Sequence, residues 1–291
     1  MPTSPTIVLT GATNGLGRLA AVELAKHGSH LVIIARNASK ADETRALVDQ
    51  AAPGSACEVF LADLAIMDDV RRVGKEIAAR YDHIDVLINN AGIHAFEQRI
   101  TCDGFPEMMA VNYFAPWLLT QALRDVLVRS APARVVNVAS GASKRHGVLT
   151  LPDDLINTAP FTTLGSSPIY GKTKLLDIMF SQQLARELAG TNVTVNVLCP
   201  GFNVTGLGRE LWFANALERI LNFVGVGDPR HGAGIIVYLA VDPELEDKTG
   251  GYYSVDRSLQ TPVAPGGDVE LQKKLWDLTE GLLKKWLPVS T

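Results

Sequence analysis

Short runs of apolar, largely β-branched residues alternate along the chain with longer stretches in which apolar residues recur at helical spacing. Continuous apolar runs of this kind are typical of strands that are buried on both faces of a parallel sheet. The predicted strands are Thr6–Leu9, His30–Ala35, Ala56–Leu61, Val86–Asn89, Arg134–Val138 and Thr194–Leu198. The predicted helices lie near Gly17–His27, Ala38–Ala51, Ile66–Tyr81, Pro106–Ser130 and Tyr170–Ala189.

This alternation predicts an α/β fold with a doubly wound (Rossmann) parallel sheet, in which helices cover both faces in a three-layer α/β/α arrangement. Toward the end of the chain, residues 233–240 have the pattern of a further helix, and residues 251–255 have that of a short last strand. No repeat or linker interrupts the pattern. We therefore expect a single domain over residues 1–291, with a core at about 6–260 and a helical tail at about 268–287.

Three segments need separate interpretation. Residues 144–167 contain Gly, Pro and many Ser and Thr residues without a clear period, which predicts a surface loop. Residues 207–226 are unusually apolar. They belong either to the core or, because they follow a strand's carboxyl end, to a lid over a hydrophobic substrate pocket. The tail at 269–286 has an apolar helical stripe, which we expect to pack on the body of the protein or on a partner subunit.

The composition, 47% hydrophobic and 20% charged residues, is that of a globular protein with one large core. A net charge of −4 without a basic block argues against nucleic acid as a partner. The 3 cysteines stand far apart and predict neither a disulfide framework nor a metal site. No apolar stretch is long enough for a signal peptide or a membrane span, so we expect a cytoplasmic protein without a membrane span.

A glycine-rich segment, Thr10–Gly17, lies between the first predicted strand and the first predicted helix, with the spacing Gly-x-x-x-Gly-x-Gly. Glycine lets the backbone turn sharply and approach a pyrophosphate, whose charge is met by free N–H groups at the helix N-terminus. The residues of this segment that we expect to bind a dinucleotide are Gly11, Thr13, Asn14, Gly15, Leu16 and Gly17.

The end of the second predicted strand bears on the choice of nicotinamide cofactor. An acidic residue there would hydrogen-bond the adenosine ribose 2′-hydroxyl and repel a 2′-phosphate. The sequence has Ala35-Arg36-Asn37 instead, and a guanidinium pairs well with phosphate. NADP(H) is therefore the expected cofactor, with Arg36 and Asn37 among its binding residues. The alternative interpretation is that Arg36 is a solvated surface residue.

A tyrosine and a lysine stand four residues apart at the predicted start of the helix near Tyr170–Ala189. Side chains at this spacing share a helix face, so the Tyr170 hydroxyl and the Lys174 ammonium can converge on one site. A neighbouring cation favours the phenolate and makes the phenol a better acid–base group near neutral pH. The pair alone is common on solvated helix faces, so its significance depends on the other motifs.

Seven short motifs together resemble the short-chain dehydrogenase/reductase family, in that family's order, over about residues 6–260. They are Thr10–Gly17, Asp63-Leu64, Asn89-Asn90-Ala91-Gly92, Asn112, Asn137-Val138-Ala139-Ser140, Tyr170–Lys174 and Pro200-Gly201 with Thr205. The Ala35-Arg36-Asn37 strand end, the long segment between Ser140 and Tyr170, and the tail at 275–280 resemble the retinol dehydrogenase-like branch. Members of that branch often act on apolar aldehydes, ketones or alcohols.

The resemblance implies an oxidoreductase that moves a hydride between nicotinamide and a carbonyl or alcohol. Tyr170 would be the general acid in reduction and the base in oxidation, and Ser140 would polarise the substrate oxygen. Lys174 would lower the pKa of Tyr170 and hold the nicotinamide ribose. Asn112 would anchor a water chain that supplies protons to Lys174. The implied catalytic set is Asn112, Ser140, Tyr170 and Lys174.

The resemblance also implies cofactor contacts beyond the glycine loop. Asp63 would contact the adenine, and Pro200 with Thr205 would position the carboxamide. The further binding residues implied are Asp63, Leu64, Asn90, Ala91, Gly92, Tyr170, Lys174, Pro200, Asn203 and Thr205. Asn203 departs from the Val or Ile that is usual in the family.

Three functions are compatible with these features. They are an NADPH-dependent reductase of a bulky hydrophobic ketone or aldehyde, an NAD(P)-dependent alcohol dehydrogenase, and a non-catalytic dinucleotide-binding sensor or scaffold. Arg36 favours reduction, and the complete catalytic set argues against the sensor. His94, Phe96 and His146 are expected near the mouth of the pocket. Related enzymes pair the helices near Pro106–Ser130 and Tyr170–Ala189 across a two-fold axis. A homodimer or homotetramer is therefore compatible with the sequence, although members of the branch can be monomeric.

Overall fold

The computed structural model of the chain describes residues 4–201 and 228–287. Its strands are β1 Thr6–Thr10, β2 His30–Ala35, β3 Cys57–Leu61, β4 Val86–Asn89, β5 Ala133–Val138, β6 Val193–Leu198 and β7 Tyr252–Tyr253. They form one parallel sheet of 7 strands in the order β3-β2-β1-β4-β5-β6-β7. The order reverses between β1 and β4, which is the place where doubly wound folds bind their ligands.

Helices connect successive strands. They are α1 Gly15–Lys26, α2 Ala38–Ala51, α3 Met67–Arg80, α4 Glu107–Met109, α5 Ala115–Arg129, α6 Asp153–Ile156, α7 Thr163–Glu187, α8 Pro229–Val241 and α9 Val269–Leu283. A π-helical segment, Ala110–Phe114, joins α4 to α5, and 3₁₀ turns stand at Gly141–Arg145, Pro243–Leu245 and Lys284–Trp286. Within residues 4–201 and 228–287, no helix has the length and the apolarity that crossing a membrane requires.

Alternate residues of each strand face opposite layers of helices, as the pleat of a strand requires. In β1, Val8 packs in the cluster that includes α3, α5 and α7, whereas Ile7 and Leu9 pack in the cluster that includes α1, α2 and α8. The sheet is therefore buried on both faces between two helical layers. The predicted α/β class, the doubly wound parallel sheet and the single three-layer domain are confirmed.

Helix α9 completes the first of these two clusters. The ring centroid of Trp276 lies 5.4 Å from that of Trp117 on α5 and 6.1 Å from that of Phe180 on α7. The hydroxyl of Thr279 is hydrogen-bonded to that of Tyr113 at 2.7 Å. The apolar stripe of the tail thus packs on the body of the protein, which is one of the two arrangements that the sequence allowed.

The prediction of a loop over residues 144–167 is wrong in part. Helix α6 lies inside this segment, and α7 begins at Thr163 rather than at Tyr170. Pro168 lies inside α7 and has no N–H to donate to the preceding turn. Leu164, in that turn, is 92% exposed, so water can solvate the carbonyl that the proline leaves unpaired. The helix therefore begins within the predicted loop and continues through Pro168.

Candidate active site

The candidate residues that the structure describes gather along the carboxyl edge of the sheet, where parallel α/β folds bind ligands. The positions that follow the strands are Gly11 after β1, Arg36 after β2, Asp63 after β3, Asn90–Gly92 after β4, Ser140 after β5 and Pro200 after β6. Tyr170 and Lys174 lie on α7. Asn203, Thr205 and the apolar segment 207–226 lie outside the described residues, and their roles stay predictions.

The glycine loop is packed against the segment that follows β4. Gly11 has a φ of +70°, and a Cβ atom on it would lie 2.8 Å from the Ala91 Cα. A Cβ atom on Gly17 would lie 2.2 Å from the Gly11 carbonyl oxygen. The Asn90 Nδ2 donates to the carbonyls of Thr10 and Gly11 at 3.0 and 3.2 Å. The glycines are therefore required for the close approach of two loops, which leaves the backbone on the cofactor side without side chains.

The beginning of α1 adds two features to this loop. Asn14 holds the N-cap position, and its side chain makes no capping hydrogen bond to the helix. An anion such as a pyrophosphate could therefore bond to the first N–H groups. Arg18 donates from Nη2 to the Thr13 carbonyl at 2.5 Å and pairs with Glu43 at 3.1 Å. The sequence interpretation missed Arg18, and its only signal was a basic residue directly after Gly17.

The ends of β2 and β3 bring Arg36 and Asp63 together. The Arg36 Nη1 lies 3.7 Å from the Asp63 Oδ2, and the Arg36 side chain is 71% exposed. Asn37 accepts a hydrogen bond from the Lys40 N–H at 3.0 Å and so caps α2. The Asp63 Oδ1 accepts from the Ala65 N–H at 3.0 Å. Asn37 and Asp63 therefore stabilise the local backbone, whereas the Arg36 guanidinium remains accessible to solvent.

Asn112 connects the segment after β4 to α7. Its Oδ1 accepts from the Ile93 N–H at 2.8 Å, and its Nδ2 donates to the Ile93 carbonyl at 2.9 Å and to the Thr173 Oγ1 at 3.0 Å. A Cβ atom on Gly92 would lie 3.4 Å from the Asn112 Oδ1 and 3.5 Å from the Lys174 Nζ. Asn112 lies in the π-helical segment, a local widening that is frequent at functional sites. The structure thus brings Gly92, Asn112 and Lys174 together.

Ser140, Tyr170 and Lys174 also converge. Ser140 and the Lys174 ammonium both favour the anionic form of Tyr170, and the Ser140 Oγ accepts from the Ala142 N–H at 3.2 Å. The Lys174 Nζ donates to the Val138 carbonyl at 2.9 Å. Burial raises the pKa of Tyr170 above its usual value, and Lys174 and Ser140 act in the opposite direction. The phenol is therefore held between a hydroxyl and a buried ammonium.

A carboxylate that the sequence interpretation missed lies one turn further along α7. The Asp177 Oδ2 is 2.8 Å from the Lys174 Nζ, and each side chain is 4% exposed. Burial raises the pKa of Asp177 to about 6, although Lys174 lowers it. Burial also disfavours the charged form of Lys174, but Asp177 and Tyr170 together outweigh this effect, and the pKa of Lys174 is raised. The available signal was an acidic residue within the otherwise apolar run 175–180.

An aromatic stack covers one face of Tyr170. The His94 ring lies nearly parallel to the Tyr170 ring, with centroids 4.6 Å apart, and the Phe96 ring lies 4.7 Å from that of His94. The His94 Nε2 is 3.0 Å from the Ser166 Oγ, which donates its own proton to the Thr163 carbonyl at 2.7 Å. The Nε2 of His94 therefore carries a proton and donates it to Ser166.

Comparison with known proteins agrees with this geometry. Residues 5–151 match the family described as short chain dehydrogenase. The chain belongs to the short-chain dehydrogenase family. It is 37% identical to retinol dehydrogenase 14 of Homo sapiens, over 96% of this chain and 87% of that protein. It is 33% identical to polyprenol dehydrogenase of Homo sapiens, over 92% of this chain and 82% of that protein. These similarities place this short-chain dehydrogenase in the retinol dehydrogenase-like branch, as predicted.

Solved structures share the fold of this short-chain dehydrogenase. An uncharacterized protein from Mycobacterium paratuberculosis superposes with a TM-score of 0.73 and 27% identity, over 98% of this chain and 95% of its own. A protein from Beutenbergia cavernae, described as an NAD(P)-dependent gluconate 5-dehydrogenase, carries bound NADP at low occupancy. It superposes with a TM-score of 0.66 and 27% identity, over 88% of this chain and 97% of its own.

Proposed function

We propose that this short-chain dehydrogenase is an NADPH-dependent oxidoreductase that reduces a bulky, hydrophobic ketone or aldehyde to the alcohol. The observation that carries the proposal is the convergence of Ser140, Tyr170 and Lys174. Because Ser140 and the buried Lys174 ammonium both favour the phenolate of Tyr170, they stabilise the anion that remains once the hydroxyl has given up its proton. This is the property that a proton donor to a reacting oxygen needs.

The residues present fit a dinucleotide. The close approach of Gly11 and Gly17 to Asn90 leaves bare backbone, and no Asn14 side-chain cap blocks the start of α1, so a pyrophosphate could approach both. Arg36 is exposed at the end of β2, where its guanidinium would pair with a 2′-phosphate. The bound NADP in the Beutenbergia cavernae protein supports this choice of cofactor. When bound, the nicotinamide supplies the hydride.

The protein's own groups then handle the oxygen and its proton. Ser140 donates a hydrogen bond to the substrate oxygen and stabilises the negative charge that develops there. Tyr170 donates its hydroxyl proton to the same oxygen. Lys174 stabilises the phenolate that remains. Asn112 fixes the position of α7 relative to the segment after β4, through its hydrogen bonds to Ile93 and Thr173. The reverse sequence of proton transfers would serve oxidation.

A second function, oxidation of an apolar alcohol, is favoured by the names of the relatives. The similar human proteins are a retinol dehydrogenase and a polyprenol dehydrogenase, and both names refer to apolar alcohols. The same names support a hydrophobic substrate in either direction. The rings of His94 and Phe96 beside Tyr170 provide apolar surface that such a substrate could contact.

We also propose that this chain does not form the dimer that related enzymes build across the helices equivalent to α5 and α7. Helix α9 already packs on both, through Trp276 against Trp117 and Phe180. A partner subunit would have to displace it and expose these side chains. Light scattering on the purified protein should give the mass of one chain. A dimer of the unmodified protein that is abolished by substitutions on the outer faces of α5 and α7 would contradict the proposal.

The test of the proposed function is turnover by the purified protein with retinal and NADPH, and with retinol and NADP⁺. We expect reduction to be the faster reaction at neutral pH. Tyr170→Phe should lower turnover by about 10²- to 10⁴-fold, because it removes the proton donor. NADPH binding, measured by fluorescence, should stay intact in this variant. Turnover that survives Tyr170→Phe undiminished, or the absence of NADPH binding in the wild type, would overturn the proposal.

A further inference from the structure

The buried charge beside the proposed proton donor is a pair rather than a single cation. Lys174 and Asp177 are one turn apart on α7 and form an ion pair of 2.8 Å from which solvent is nearly excluded. The second acceptor of the Lys174 Nζ, the Val138 carbonyl, is uncharged. Among the described residues, the Asp177 Oδ1 is buried and has no hydrogen-bond donor. In that part of the chain, the ion pair of Oδ2 with Lys174 is therefore the polar contact that this carboxylate makes.

An anion at this distance changes what Lys174 can do for Tyr170. A lone ammonium favours the phenolate, whereas an ammonium that is paired with a carboxylate acts on its surroundings as a dipole. In this structure Lys174 lowers the pKa of Tyr170 and Asp177 raises it. Because the pKa of Asp177 is about 6, the carboxylate is ionised at neutral pH, and its effect is present there.

We propose that Asp177 is a positioning residue, which offsets the charge of Lys174 and thereby holds the Tyr170 hydroxyl in its protonated, proton-donating form. This inference rests on the proposed function, and it adds the direction in which the reaction is favoured. A phenol that stays protonated through neutral pH is a ready acid for reducing a carbonyl and a poor base for oxidising an alcohol. Asp177 thus biases the site toward reduction.

The other groups around the pair do not provide the same charge. From its own helix, Asp177 faces Lys174 and Tyr170, and from the π-helical segment it faces Tyr113. Burial raises the pKa of Tyr113, so that phenol is neutral over the working range. On the side of Tyr170 lie the ring of His94 and the thiol of Cys199. Asp177 is therefore the anion in direct contact with Lys174 in the part of the chain that the structure describes.

The test is the pKa of Tyr170 itself, measured without substrate or cofactor. Tyrosinate absorbance is titrated for each protein, and the titration of the same protein with Tyr170→Phe is subtracted to isolate Tyr170. We expect Asp177→Asn to lower the pKa of Tyr170 by about 1 unit or more, because it removes a close anion. Asparagine is nearly isosteric and keeps an oxygen that can accept from the Lys174 Nζ. Asp177→Ser provides a second neutral variant if the asparagine variant folds poorly.

The matched control is Asp154→Asn, which removes a carboxylate from the ion pair with Lys172 on the same helix. It should leave the pKa of Tyr170 unchanged. A pKa that stays the same in both Asp177 variants would overturn the inference. A pKa that rises in them would overturn it too, since it would mean that Asp177 acts mainly by keeping Lys174 protonated.

Kinetics supply the readout that a merely structural role would not move. If the protein reduces a carbonyl, the rate falls at high pH as Tyr170 loses its proton, and Asp177→Asn should move this limb to lower pH by about 1 unit or more. If the protein shows no turnover, the proposed function fails, but the titration of Tyr170 still decides whether Asp177 offsets Lys174. The two failures are therefore distinguishable.

Discussion

Two ion pairs between a basic side chain and an aspartate lie at the carboxyl edge of the same sheet, and they differ in distance and in exposure to solvent. Arg36 and Asp63 meet at 3.7 Å on the surface, where the arginine side chain is 71% exposed. Lys174 and Asp177 meet at 2.8 Å with each side chain 4% exposed. An exposed pair at that distance is screened by water and contributes little to stability. A buried pair cannot lose either member without leaving an uncompensated charge in the interior.

The difference determines what each pair can do. Because water already competes for its guanidinium, Arg36 can exchange Asp63 for a ligand anion at small cost. Lys174 has no such freedom, since burial holds it between Asp177 and the Val138 carbonyl. The exposed pair is therefore suited to binding, and the buried pair is suited to setting the electrostatics of a fixed site.

The largest effect should come from breaking the buried pair. Lys174→Met leaves the Asp177 carboxylate buried and unpaired, and we expect the free energy of unfolding to fall by about 3–5 kcal/mol. The loss should be greatest at neutral pH and shrink as the pH falls. Burial raises the pKa of Asp177 in the folded state, so the carboxylate takes up a proton more readily there than in the unfolded chain. Denaturant unfolding at several pH values measures both the loss of unfolding free energy and its dependence on pH.

The double variant Lys174→Met with Asp177→Asn is the control for this prediction. It removes both charges and should recover part of the lost stability, so the two substitutions should be clearly non-additive. Additive losses would mean that the Lys174–Asp177 pair behaves like an exposed ion pair. The contrast drawn with the Arg36–Asp63 pair would then be wrong.

A smaller effect is expected when the exposed cation is removed. Arg36→Ala should weaken NADPH binding by roughly 10- to 100-fold, because a hydrogen bond to a charged group contributes about 1.5–3 kcal/mol. NADH binding and the free energy of unfolding should hardly change. Arg45→Ala is the matched control, since Arg45 is an exposed arginine on α2 that pairs with Asp42. Equal losses for both cofactors would show that Arg36 does not contact a 2′-phosphate.

The smallest effect should follow Asp63→Asn. The substitution removes the partner of Arg36 but keeps the oxygen that accepts from the Ala65 N–H, so the local backbone should be retained. The free energy of unfolding should change by less than about 1 kcal/mol. NADPH binding should tighten slightly in calorimetry, and less so at high salt, because the carboxylate no longer competes with the phosphate. A marked loss of NADPH affinity would show that Asp63 itself holds the cofactor.

The fold and most of the site could be predicted from the sequence because both follow local patterns. Buried parallel strands are apolar throughout, and the position of Arg36 at the end of a strand indicated its place at the edge of the sheet. Asp63 and Ser140 were implied by the resemblance to the short-chain dehydrogenase/reductase family. Tyr170 and Lys174 were predicted to converge by helical spacing alone. Their roles, and those of the cofactor-binding set, stay predictions.

What the sequence could not predict depended on burial and on partners distant in the chain. Asp177 looked like any acidic residue on a helix, and only its exclusion from solvent gives its charge an effect on Tyr170. The position of Arg18 depends on its hydrogen bond to the Thr13 carbonyl and on its ion pair with Glu43. The start of α7 was missed because Pro168 normally argues against a helix interior, whereas here the turn before it is open to water.

The position of α9 also has a consequence for how the chain folds as it is made. The helices on which it packs, α5 and α7, precede it by many residues, and synthesis proceeds from the N-terminus. Until residues 269–286 leave the ribosome, Trp117 and Phe180 lack the cover that Trp276 later provides. The nascent protein thus presents an aromatic surface that chaperones can recognise. Formation of α9 is therefore the step that covers these two side chains.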